Sequence, residues 1–74
     1  MRRVAFTVYR EFFDKLKAGT KNIEYREIKS PWTAYLENPP KEAVFICGRD
    51  LLRREVTGVV IFGGLIEFHL AVAQ

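Results

Sequence analysis

The hydrophobic period of this chain changes abruptly around Gly19, and that change constrains the fold more than any other feature. Ahead of it, Tyr9, Phe12, Phe13 and Leu16 recur at i, i+3, i+4 and i+7, while Arg10, Glu11, Asp14, Lys15 and Lys17 occupy the remaining positions. That is the spacing of an amphipathic helix, and it directs the aromatic stripe into the core rather than toward a stacked ligand. Beyond it the period is two, with Ile23, Tyr25 and Glu27 on one face of a strand and Asn22, Glu24, Arg26 and Ile28 on the other. Gly19 is well placed as the left-handed residue that stops the helix, with Lys15 and Lys17 in the last turn suited to the negative end of its dipole. Thr7 is expected to cap the N-terminus through its hydroxyl.

The rest of the chain reads as strands and turns. Residues 3–6 form a short strand ahead of the helix, and Pro31 opens a short helical turn with Trp32, Tyr35 and Leu36 along one side. Asn38, Pro39 and Pro40 end that turn in a loop. Residues 42–47 read as a buried strand, Gly48, Arg49 and Asp50 as a turn, and residues 53–62 as a long strand rich in β-branched residues. The pair Gly63 and Gly64 signals a hairpin into a last strand over 65–73, where Ile66, Phe68, Leu70 and Val72 alternate with Glu67, His69 and Ala71. The expected architecture is α+β: an antiparallel sheet of about five strands, curled around one amphipathic helix and accompanied by one short helix.

Composition narrows the function classes. At 74 residues the chain is expected to be a single domain over 1–74, since so short a chain buries only about 60 to 65% of its unfolded surface and cannot divide into two cores. With 49% hydrophobic and 28% charged residues it lies away from disorder. A net charge of +3 and a pI near 9.3 permit a polyanionic partner without requiring one. Cys47, the single cysteine, cannot form an internal disulfide and sits in the apolar run Ala43, Val44, Phe45, Ile46, where a buried thiol is the ordinary state. No apolar stretch approaches the roughly 20 residues that span a bilayer. No membrane association and a cytoplasmic location are expected.

Residues able to carry chemistry are few. There is no G-x-S-x-G, no phosphate-binding P-loop and no Cys and His set at metal-ligand spacing, which removes the serine hydrolase, nucleotide hydrolase and zinc classes. No metal or other cofactor is expected. His69 is read as a half-exposed strand residue, and Arg49, Arg53 and Arg54 as either a phosphate grip or a solvated charged loop. Lys21, Glu24 and Arg26 fall within one segment, with Glu24 and Arg26 on the same strand face. Such a set makes a polar cleft in which the carboxylate orients two cations toward a phosphate or polarised carbonyl, or an ordinary solvent-facing ladder of ion pairs. Pattern alone leaves both open.

The spacing G-x-K-x-x-E-x-R, present as Gly19, Lys21, Glu24 and Arg26, resembles the signature of the ASCH domains, relatives of the PUA fold. The continuation through Glu27, Ile28 and Lys29, the aromatic Trp32 and the strand 43–47 also resemble a compact bacterial and phage-type branch. The resemblance is specific over about residues 3–47 and architectural beyond. It implies a small curled sheet or β-barrel with the helix beside it and a cleft lined by the motif, and a function in binding RNA. Some members are ribonucleases, and one branch hydrolyses acetylated cytidine with the motif lysine and a threonine three residues on. Here Glu24 stands at that threonine position, removing the hydroxyl nucleophile. The leading expectation is therefore a module that binds RNA or a nucleotide. Lys21, Arg26 and Lys29 would contact phosphates or base edges, Glu24 would position Arg26, and Tyr25 or Trp32 would stack on a base. The alternatives are a ribonuclease or amidohydrolase using Lys21 and Glu24, and a phage or mobile-element protein that binds a host protein through an apolar surface.

Overall fold

A computed structural model describes residues 2–72. Strand β1 (Arg3–Thr7) leads to helix α1 (Arg10–Ala18), strand β2 (Ile23–Glu27) and a short helix α2 (Ala34–Glu37). Strands β3 (Glu42–Cys47), β4 (Asp50–Phe62) and β5 (Leu65–Leu70) follow. The five strands make one sheet in the order β1-β3-β4-β5-β2.

The sheet is mixed rather than antiparallel as expected. β1 pairs with β3 in parallel, Phe6 standing opposite Phe45, and the other three pairings are antiparallel. The connection allows it: α1, β2 and α2 all intervene between β1 and β3, and parallel pairing requires a crossover of such length. β4 joins the two parts of the sheet. Its first half pairs with β3 and its second half with β5, and a register shift between Val56 and Gly58 marks the join. Such an irregularity bends a strand and increases its local twist. The sheet does not close into a barrel, and β1 and β2 remain as its two outer strands.

Several local expectations shift. Thr7 lies in β1, paired with Ile46, and Val8 extends the ladder by donating to Ile46 O at 3.0 Å, so Thr7 does not cap the helix. Tyr9 holds that position in extended conformation, with no side-chain cap, and its carbonyl accepts from the N–H groups of Phe12 and Phe13. Gly19 ends α1 with φ 81° as expected. The turn between β3 and β4 contains only Gly48 and Arg49, so β4 begins at Asp50, ahead of residue 53. Gly63 and Gly64, both at positive φ, form the expected hairpin. β5 ends at Leu70; Val72 is exposed, and Ala73 lies outside the described residues. The chain turns at Lys29 through Thr33 N–H and Trp32 N–H bonds to Lys29 O, and α2 starts only at Ala34.

One core holds these elements together: Val4 and Phe6 of β1, Phe13 and Leu16 of α1, Ala43 and Phe45 of β3, Val56 of β4, and Ile66, Phe68 and Leu70 of β5. Trp32, Tyr35 and Leu36 pack against its edge. Only half of the α1 stripe reaches it. Phe13 and Leu16 are buried, whereas Tyr9 is 78% exposed and Phe12 is exposed at the margin. Among the described residues no helix is long and apolar enough to cross a membrane.

Candidate functional site

The failure of the sheet to close positions the site. Where β1 runs into α1, facing β2, a cleft of about 590 Å³ is left, with Thr7, Val8, Tyr9 and Phe12 on one side and Lys21, Glu24, Tyr25 and Arg26 on the other. Its volume falls in the range of small-molecule sites, roughly 300 to 1,000 Å³.

The period of β2 sets the floor. Glu24 and Arg26 stand opposite Phe68 and Ile66 of β5, on the face that turns toward the core. Glu24 is only 5% exposed and is the one buried charged residue among those described. Its carboxylate lies between two cations. Arg26 Nη1 donates to Glu24 Oε2, and the Lys21 ammonium stands 3.8 Å from Oε1. Arg26 Nη1 also donates to Tyr25 O at 2.8 Å, and Lys21 Nζ donates to Ile23 O at 2.7 Å. Glu24 Oε1 itself accepts no hydrogen bond among the described residues. A buried carboxylate is tolerable only with such compensation.

Aromatic rings complete the arrangement. The Arg26 guanidinium lies over Phe6 at 4.7 Å and over Trp32 at 5.3 Å from the ring centroids. The Lys21 ammonium is 5.3 Å from the Tyr25 ring and 5.7 Å from that of Phe12. Each cation is therefore fixed from two directions, by the carboxylate and by π faces, which strengthen as water is excluded. Tyr25 remains 43% exposed on its way to the rim.

The expected site residues thus divide. Lys21, Glu24, Tyr25 and Arg26 come together on the cleft. Trp32 is half-buried and stacked on Phe6 at 5.4 Å, so it backs Arg26 instead of presenting a free face to a base. Lys29 is exposed outside the cleft, and Glu27, at 3.5 Å, is its one carboxylate partner among the described residues. Thr7, Val8, Tyr9 and Phe12 join the site unanticipated. The signal for Tyr9 was its position at the first turn, where an extended cap residue leaves the helical stripe.

The remaining candidates have other roles. Arg54 has its Nη donors engaged within the protein: it donates to Leu16 O, Lys21 O, Asn22 Oδ1 and Ala71 O at 2.6 to 3.2 Å, and burial pushes its guanidinium below the usual arginine range. Arg10 is raised by its hydrogen bond to Asp50, at 2.7 Å, which ties α1 to the start of β4. His69 is half-buried, on the strand face opposite Phe68, with Nε2 2.8 Å from Glu67 Oε1. That carboxylate is two residues away on the same strand face. Cys47 is half-buried against the core.

Fold and cleft together define a small α+β domain with an open sheet and a charged, aromatic-rimmed hollow at its seam. No protein-family model matches the chain, and no curated protein matches it in sequence.

Proposed function

We propose that this protein is an ASCH-type, PUA-like module that binds single-stranded RNA or a nucleotide, with a base held in the cleft at the seam. The observation that carries the reading is the buried Glu24 clamped between Lys21 and Arg26 beneath exposed aromatic side chains. Stability does not account for that cluster, because replacing a buried ion set by apolar residues of similar volume is often neutral or stabilising. A fixed polar floor does account for it. Arg26 and Lys21 offer donors of defined direction to a base edge or phosphate oxygen, and Glu24 holds them in register. Tyr25 and Tyr9 supply stacking surface, worth about 1 to 3 kcal/mol per base. The net charge of +3 assists capture of a polyanion.

The enzymatic alternative has less to support it. The Lys21 ammonium donates to Ile23 O and Glu24 Oε2 accepts from Arg26, so both side chains are engaged in holding the cluster together, with Glu24 Oε1 alone left without a hydrogen bond among the described residues. The protein-binding alternative needs an exposed apolar surface, and Trp32 and Tyr35 do not supply one, since both side chains pack on the core.

Titration of fluorescently labelled single-stranded RNA at two salt concentrations tests the proposal. Binding is expected at low salt, weaker at high salt, and weakened further by Lys21→Ala and by Arg26→Ala. Absence of binding at low salt, or indifference to both substitutions, overturns it. Incubation with RNA and modified nucleosides covers the enzyme: turnover abolished by Lys21→Ala and Glu24→Gln would replace binding by catalysis.

A further inference from the structure

A second hollow, of about 430 Å³, adjoins the cleft and shares Phe12, Lys21 and Tyr25 with it. Lys21 is the divider, its ammonium flanked by the two rings. The two compartments differ in charge. The cleft contains the buried carboxylate of Glu24 and the guanidinium of Arg26, whereas the second hollow adds Lys15, Thr20, Asn22 and Ile23 and no acid.

The polar groups of that hollow are mostly committed. Asn22 donates from Nδ2 to Gly19 O and accepts at Oδ1 from Arg54, and Thr20 Oγ1 donates to Lys15 O. What remains is Lys15, which has no carboxylate within 4.0 Å among the described residues, beside Lys21. Carbonyls at the end of α1 would ordinarily repel an anion here. Two of the four are already occupied: Lys15 O accepts from Thr20 N–H and Lys21 N–H, and Leu16 O from Gly19 N–H and the Arg54 guanidinium.

We propose that the second hollow takes the phosphate that links the base in the cleft to the next nucleotide, so that the ligand is a strand of at least two nucleotides rather than a free nucleoside. Lys15 and Lys21 grip the phosphodiester, and Lys21 serves both compartments. The inference rests on the cleft being the base site.

Calorimetric or fluorescence titration with a nucleoside, its monophosphate, a dinucleotide and inorganic phosphate tests it, on the wild type, Lys15→Ala and Lys15→Arg. The dinucleotide is expected to bind about tenfold more tightly than the nucleoside, in line with one added phosphate contact. Lys15→Ala removes most of that advantage and makes dinucleotide binding less sensitive to salt. Nucleoside affinity stays within about twofold, and Lys15→Arg retains the advantage, as a charge-based contact requires. Equal affinity for nucleoside and dinucleotide, or a dinucleotide affinity that ignores Lys15→Ala, overturns the phosphate site and leaves the base site standing. Inorganic phosphate competing as well as the monophosphate overturns the strand reading in favour of a free-anion site. Dinucleotide binding that survives both Arg26→Ala and Tyr25→Ala removes the base site, and this inference with it.

Discussion

Two arginines, Arg54 and Arg26, organise two regions of this small domain, and they do so by opposite means. Arg54 spends its donors on neutral acceptors, bonding Leu16 O and Lys21 O from Nη1 and Asn22 Oδ1 and Ala71 O from Nη2. It thereby staples the end of α1, the approach to β2 and the segment after β5. Arg26 is given a buried carboxylate and two aromatic faces, and its surroundings open onto a cleft. Both guanidinium groups have five N–H donors in a rigid fork. A fork whose Nη donors all go to neutral protein acceptors is a joint, whereas one balanced by a single anion beside a cavity retains directed charge for something else. The contrast separates the residue that holds the fold from the one that the proposed ligand meets.

The largest effect should come from the joint. Arg54→Ala removes the donor from four part-buried acceptors, of which Leu16 O keeps its bond from Gly19 N–H, and each unsatisfied buried group costs about 1 to 3 kcal/mol. A loss of about 3 kcal/mol is expected after local relaxation, seen as a fall of more than about 10 °C in Tm by calorimetry. RNA affinity measured well below that Tm should change less than threefold. If binding collapses in folded protein, Arg54 belongs to the site and the contrast is broken. Arg26→Ala should show the reverse weighting. About 1 to 2 kcal/mol of stability is expected to go with the loss of the partner of Glu24, against a loss of about 100-fold in RNA affinity, the scale of a charge-assisted contact. Tyr25→Ala should follow, with about tenfold weaker binding from lost stacking and a Tm within about 3 °C of the wild type, because the ring is substantially exposed.

Sequence pattern reveals these two regions unequally. The Arg26 cluster is visible because period two is a local rule: Glu24 and Arg26 must share a strand face, and the stop at Gly19 brings Lys21 to its edge. The Arg54 cluster is invisible, since three of its four acceptors are main-chain carbonyls and leave no trace in residue identity. Topology behaves similarly. The turn of Gly63 and Gly64 announces β4 and β5, but the parallel pairing of β1 with β3 depends on which elements the intervening chain inserts. The open seam between β1 and β2 is likewise a property of the whole sheet, read from no single segment. Tyr9 and Phe12 show the limit of helical spacing. It gives the direction a side chain takes from the helix, while burial requires something opposite, and opposite these two stands the cleft.

The smallest expected effect tests where the site ends. Lys29 is close to Arg26 in sequence, and a simple basic stripe along β2 would include it. Its main chain is structural: Lys29 N–H donates to Glu27 O, and its carbonyl accepts from Trp32 and Thr33. Its side chain is not, being 63% exposed and 3.5 Å from a Glu27 carboxylate that is itself open to solvent. Such exposed pairs contribute about 0 to 1 kcal/mol and are screened by salt. Lys29→Ala is therefore expected to shift stability by less than about 0.5 kcal/mol and RNA affinity by less than twofold near physiological ionic strength, with an unchanged salt slope. A loss of fivefold or more, together with a lower slope, would mean that the ligand continues past the cleft along the outer strand. Buried pairing with Glu24 would then no longer mark the boundary of the site, and plain proximity of positive charge would replace it.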